Sequence, residues 1–188
     1  MESTRSKASE AMARYAQGDA AAFAQVYDEL GPKLHGYLRR KLKNAAAADD
    51  VLQQVFLRMH HSRSRFAPGA RVEPWAYAIA HSAAVDFIRS EQRRAGSEFL
   101  EEAHADEQVD LDASVGAGEL SDALRRELAQ VSPKLREAFL LTRIEGLTHA
   151  EAAQVLGAEE TATKVRAHRA SVWLRERLSR FGLTEDGR

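Results

Sequence analysis

The sequence predicts an all-α protein made of two small helical domains joined by an acidic flexible linker. Three observations predict it. Glycine and proline are sparse, at 11 and 4 of 188 residues. No stretch alternates apolar and polar residues as a half-buried strand does, whereas apolar residues recur at steps of three and four along most of the chain. Charge falls in blocks: residues 1–94 carry 15 Lys and Arg against 10 Asp and Glu, residues 95–123 carry none against 9, and residues 124–188 carry 12 against 9. The net charge of -1 thus hides two basic blocks divided by an acidic one. Because salt confines such fields to about 10 Å, local sign governs what each block meets.

A hydrophobic fraction of 44% permits two cores. The expected division is 1–94, a linker over 95–119, and 120–188. The absence of cysteine excludes disulfides and thiolate zinc sites and suits a reducing compartment. The first residues lack the apolar core of a signal peptide, and nothing approaches eighteen uninterrupted apolar residues. A cytoplasmic protein without membrane insertion is expected. His, Asp and Glu show no metal-ligand spacing, and neither a Gly-rich phosphate loop nor a nucleophile beside a base is evident. The expectation is no metal, no cofactor, no catalytic residue and no enzymatic activity.

Glu10 to Gln17 reads as a short first helix stopped by Gly18, with Asp19 as cap for the next. Phe23, Val26, Tyr27, Leu30, Leu34, Tyr37, Leu38 and Leu42 form one apolar stripe. Gly31-Pro32 interrupts it, so a bend or restart is expected there. Asp49 to Met59 buries Val51, Leu52, Val55, Phe56 and Met59 and turns Asp50, Gln53, Gln54 and Leu57 elsewhere. Pro74 to Arg94 follows, with Trp75, Ala76, Ile79, Ala80, Ala83, Ala84, Phe87 and Ile88 inward. Tyr77, His81, Ser82, Asp86 and Arg89 fall off that stripe, and an aromatic ring with hydrogen-bonding groups suits unpaired bases. Residues 95–119 have no helical period.

The period returns at Leu124, Leu128 and Val131. Ser132-Pro133 opens a further helix, proline in the first turn where its missing N–H costs nothing, with Leu135, Ala138, Phe139 and Leu141 as its core face. Thr148 and Glu151 then have the spacing of a capping box, and Gly157 stands where a left-handed residue stops a helix. A second helix starts within three or four residues. This is the helix-turn-helix pattern, whose second helix enters the DNA major groove. Its inward stripe is Thr163, Ala167, Ala170 and Leu174. Glu160, Thr161, Lys164, Val165 and His168 face outward, and Lys164, Arg166 and Arg169 supply charge for phosphates.

In this order the blocks resemble the two-domain extracytoplasmic-function (ECF) sigma factors of bacterial RNA polymerase. DDVLQQVFLRM resembles the segment that docks on core polymerase, PWAYAIAHSAAVDFIR the segment that melts and reads the promoter −10 element, and SPKLREAFLLTRIEGLTHAEAAQVLG with TKVRAHRA the domain that holds the −35 element. The resemblance implies polymerase contacts at Asp50 and Gln53, with Gln54 on the same exposed face; −10 recognition by His81, Ser82, Asp86 and Arg89, with Tyr77 beside them on the same face; and −35 recognition by Glu160, Thr161, Lys164, Val165 and His168, with Arg169 adding charge for phosphates. It implies core RNA polymerase, promoter DNA and an anti-sigma factor as partners. The sequence departs from the family pattern at Gln54, where glutamate is usual, at Ser82, where asparagine is common, and at Glu159 and Glu160, which replace a serine and an apolar residue. With the sequence closing at Arg188, no appended regulatory domain is expected. Two other readings remain: an autonomous helix-turn-helix regulator, and a helical adaptor that binds only proteins.

Limited proteolysis checks the division. Cleavage within 95–119 is expected first, leaving two folded fragments; a single resistant core would contradict it.

Overall fold

The computed structural model describes residues 6–42, 44–94 and 119–179; the expected linker lies outside them but for Glu119. Every regular element among the described residues is helical. The chain falls into two compact units, Met1–Leu100 and Glu101–Arg188.

The first unit packs four helices: α1 (Lys7–Ala16), α2 (Ala22–Leu42), α3 (Ala45–Ser62) and α4 (Val72–Arg94), with a 3₁₀ turn at Arg63–Arg65 after α3. α1 begins three residues before the position predicted, because Ser6 caps it by accepting from Ser9 N at 3.2 Å. Gly18, at φ +106, makes the turn out of it. α2 runs unbroken through Gly31-Pro32, so the expected restart does not occur. Val26, Leu30, Leu34, Tyr37 and Leu38 are buried on both sides of the proline, and Pro32 itself is exposed. Packing along that stripe outweighs the roughly 3 kcal/mol that proline costs inside a helix. Asn44 caps α3 through Ala47 N at 3.1 Å, and His35 of α2 reaches Asp49 of α3 at 2.8 Å.

α4 closes this core with Ala76, Ala80, Ala83 and Ala84, whose small side chains let its backbone approach its neighbours. It touches α1, α2 and α3. Its start is pinned by Ser9, whose Oγ accepts from Val72 N at 3.0 Å and donates to buried Glu73 at 3.5 Å.

The second unit contains α5 (Glu119–Gln130), α6 (Pro133–Phe139), α7 (His149–Leu156) and α8 (Glu160–Leu178). Ser132 and Pro133 stand at the cap and first position of α6 as expected, although the serine side chain makes no cap bond. Arg136 donates to the carbonyls of Ala129 and Val131 at 2.7 and 3.0 Å, closing the C-terminus of α5. Burial lowers the pKa of that guanidinium, and neighbouring Glu137 opposes the shift. α6 widens into one π turn, Leu140–Ile144, with Glu145 N bonded to Leu140 O at 3.0 Å. Leu128, Leu140 and Leu174 form the centre of this core, surrounded by Leu124, Phe139, Ile144, Trp173 and Leu178. Arg177 of α8 lies over its own Trp173 and pairs with Glu127 of α5 at 3.2 Å.

Leu128→Ala is expected to destabilise the second unit by about 2–5 kcal/mol, whereas Leu57→Ala, at a residue 55% exposed, changes stability by at most about 0.5 kcal/mol. Urea unfolding followed by circular dichroism checks both.

Candidate nucleic-acid and polymerase interfaces

α7 and α8 form the helix-turn-helix. Thr148 Oγ1 accepts from Glu151 N at 3.2 Å while the Glu151 carboxylate accepts from Thr148 N at 2.8 Å, completing the predicted capping box. Gly157 ends α7 in the left-handed conformation at φ +59, and Ala158 N bonds back to Ala153 O at 3.0 Å. A side chain at Gly157 would meet no atom but would strain the backbone. The turn is Gly157 to Glu159, and the next residue opens α8.

On α8 the inward stripe is as predicted: Thr163, Ala167, Ala170 and Leu174 are all buried. Thr163 also donates its hydroxyl to Glu159 O at 3.0 Å. Glu160, Thr161, Lys164, Val165, His168 and Arg169 are all exposed. Val165 keeps 43% of its surface in solvent, unusual for a branched apolar residue inside a helix. Arg166 is half-buried, so Lys164 and Arg169 are the exposed cations of this turn. Glu160 lies in the first turn, where the helix dipole favours an anion.

On α4, Ser82, Asp86 and Arg89 are exposed. Arg93, which the sequence reading passed over, continues the same line at the next step of four and is exposed as well; the spacing alone would have found it. His81 sits at the edge of this stripe, half-buried, its Nδ1 3.0 Å from the Tyr37 hydroxyl. Tyr77 departs from expectation. It is 1% exposed and meets Tyr37 edge-on with ring centroids 5.4 Å apart. α4 packs against three helices, so its buried arc is wider than the two-column stripe inferred from spacing, and Tyr77 falls inside it. In exchange Trp75, Ile79, Phe87 and Ile88 are only half-buried. Tyr77 therefore supports His81 through Tyr37 and offers no ring to a base. Asp86 accepts from both terminal nitrogens of Arg58 on α3, each at 3.0 Å.

On α3, Asp50, Gln53, Gln54 and Leu57 share one exposed face. Leu57 borders an open, mainly apolar groove formed with Tyr15, Phe23, Phe56, His60 and Arg63. Tyr15 and His60 are hydrogen-bonded across it.

Among the described residues no three His, Cys, Asp or Glu side chains are grouped to hold a metal ion, and no helix is long and apolar enough to cross a membrane.

Residues 26–94 match the family model of Sigma-70 region 2, and residues 121–174 that of Sigma-70 region 4. The chain is 34% identical over 176 residues to the RNA polymerase sigma factor CarQ of Myxococcus xanthus, covering 92% of this chain and 98% of the relative. It is 30% identical over 181 residues to the ECF RNA polymerase sigma factor SigF of Caulobacter vibrioides, covering 96% and 98%. Among solved structures, the fold is similar to the sigma factor RpoE in complex with the anti-sigma factor NepR from Bartonella quintana, with TM-score 0.69, 21% identity and coverage of 84% of this chain and 96% of that one. It is similar also to CnrH in complex with the cytosolic domain of CnrY, with TM-score 0.63, 24% identity and coverage of 93% and 98%. The paired region 2 and region 4 matches favour an initiation subunit over an autonomous regulator or a protein-only adaptor. With relatives this similar along nearly the whole of both chains, SigF among them an ECF sigma factor, the protein belongs to the ECF sigma factors, which direct RNA polymerase to specific promoters and start transcription there.

Proposed function

We propose that three exposed faces divide the work of initiation. Asp50, Gln53 and Gln54 on α3, with Leu57 beside them, dock on core polymerase. His81, Ser82, Asp86 and Arg89 on α4 hold the −10 element after its bases unpair. Glu160, Thr161, Lys164, Val165, His168 and Arg169 on α8 meet the −35 element in the major groove. The observation that carries this reading is α8 itself: its inner stripe is buried without exception, and the outer face combines cations, an acid and an exposed valine. Cations hold phosphate, whereas a carboxylate and an apolar methyl are the groups that distinguish cytosine and thymine edges.

The protein acts by positioning and is no enzyme. It works in the cytoplasm, where core polymerase and promoter DNA meet. An anti-sigma factor is its regulator on this reading, supported by the RpoE structure of similar fold, in which that sigma factor is complexed with the anti-sigma factor NepR. Domain limits of 1–94 and 120–188 accompany the proposal.

Two experiments with reconstituted holoenzyme test it. On a panel of −35 variants at several salt concentrations, Lys164→Ala is expected to weaken binding to every sequence and to reduce the salt slope by about one unit. Glu160→Ala is expected to relax preference at one or two base pairs, by about 1–3 kcal/mol of discrimination. The reverse pattern would exchange the two roles. For docking, Asp50→Ala with Gln53→Ala is expected to weaken core binding while helical content stays constant. Unchanged affinity would remove α3 from the interface.

A further inference from the structure

The Arg58–Asp86 contact joins two faces that otherwise serve different partners. Arg58 follows Leu57 on α3, and Asp86 stands in the middle of the exposed α4 stripe between Ser82 and Arg89. Nη1 and Nη2 of the guanidinium converge on one carboxylate oxygen, Oδ2, at 3.0 Å each. Oδ1 has no partner among the described residues.

Stability does not account for the pair. The two side chains are 41% and 53% exposed, and ion pairs in that setting add little to folding because solvent screens them and ordering costs entropy. An acid in the middle of a surface that meets a polyanion also needs a reason. Left unpaired, it would repel phosphate. With both Arg58 donors on Oδ2, the charge is balanced locally and that oxygen is held by two charge-assisted hydrogen bonds. Oδ1 is the acceptor left on a side chain that keeps 53% of its surface in solvent.

We propose that Arg58 is a positioning residue for base selection: it holds Asp86 so that Oδ1 accepts from the exocyclic amino group of an unpaired base. Adenine, cytosine and guanine carry such a group. Thymine does not, and it flanks its one N3–H with two carbonyl oxygens that repel a carboxylate. The pair therefore disfavours thymine at one position of the −10 element. This inference rests on the assignment of the α4 stripe to that element.

Holoenzyme assembled with wild type, Arg58→Ala, Arg58→Lys, Asp86→Ala and the double alanine variant is assayed for open-complex formation on promoters carrying each of the four bases at every −10 position. Core affinity and circular dichroism are measured beside it. Asp86→Ala is expected to lose roughly tenfold of the discrimination against thymine at one position, the size of one base-edge hydrogen bond. Arg58→Ala is expected to lose the same discrimination at the same position, and the double variant to be no worse than Asp86→Ala, as coupled residues behave. Arg58→Lys, which keeps the charge but not the two-pronged geometry, is expected to fall between wild type and Arg58→Ala. Losses that multiply in the double variant, or an Arg58→Ala defect confined to core affinity, would overturn the proposal. Alanine variants of His81, Ser82 and Arg89 separate the two levels. If they shift −10 preference while Arg58 and Asp86 do not, this inference alone falls; if none shifts it, the assignment of α4 falls with it.

Discussion

Burial of one stripe on each helix is the constraint on which the rest of this molecule depends. On α8 that stripe is Thr163, Ala167, Ala170 and Leu174, all buried, with Leu174 packed in the core with Leu128 and Leu140. A helix with 3.6 residues per turn has no freedom left once four such positions are fixed. Glu160, Lys164, Val165 and His168 are outside because Thr163 and Ala167 are inside. On the proposed reading, recognition needs no special local device, only a core that fixes the rotation of the helix and a capped, glycine-stopped partner helix that fixes where it starts.

The same logic explains where spacing sufficed and where it did not. On α8 the buried arc is narrow, limited to Thr163, Ala167, Ala170 and Leu174, and the step pattern named every inward residue. α3 behaves likewise, with Val51, Leu52, Val55, Phe56 and Met59 inside and Asp50, Gln53, Gln54 and Leu57 outside. α4 buries a wider arc that takes in Glu73, Tyr77 and Ala80 as well as Ala76 and Ala83, and its alanines carry little pattern of their own. Tyr77 then became part of the core, while Phe87 and Ile88 kept partial exposure. A hydroxyl-bearing ring reads from sequence as a rim residue; here the packing of Tyr37 against it decides the matter. At Pro32 the helix continues because buried residues on either side outweigh the local preference of proline.

Other features had no signal in one dimension. The Ser9 contacts to Val72 and Glu73 join residues 63 and 64 positions apart, and the Arg58–Asp86 contact spans 28. The Arg136 cap on α5 and the π turn after α6 arise from how two segments meet, not from composition. Such long-range polar contacts are where the structure adds most to the functional reading. They show which charged side chains are already engaged in contacts within the fold.

The central claim is that the residues left outside by helix packing are those that meet the promoter, each on its own element. Site-specific photo-crosslinking in the holoenzyme tests it most directly, with a photoreactive amino acid introduced in turn at Val165 and at Ser82. The account predicts crosslinks from position 165 to the −35 element and from position 82 to the −10 element, neither exchanging with the other. Crosslinks to the opposite element, or from neither position to DNA in a holoenzyme that initiates transcription, would contradict it.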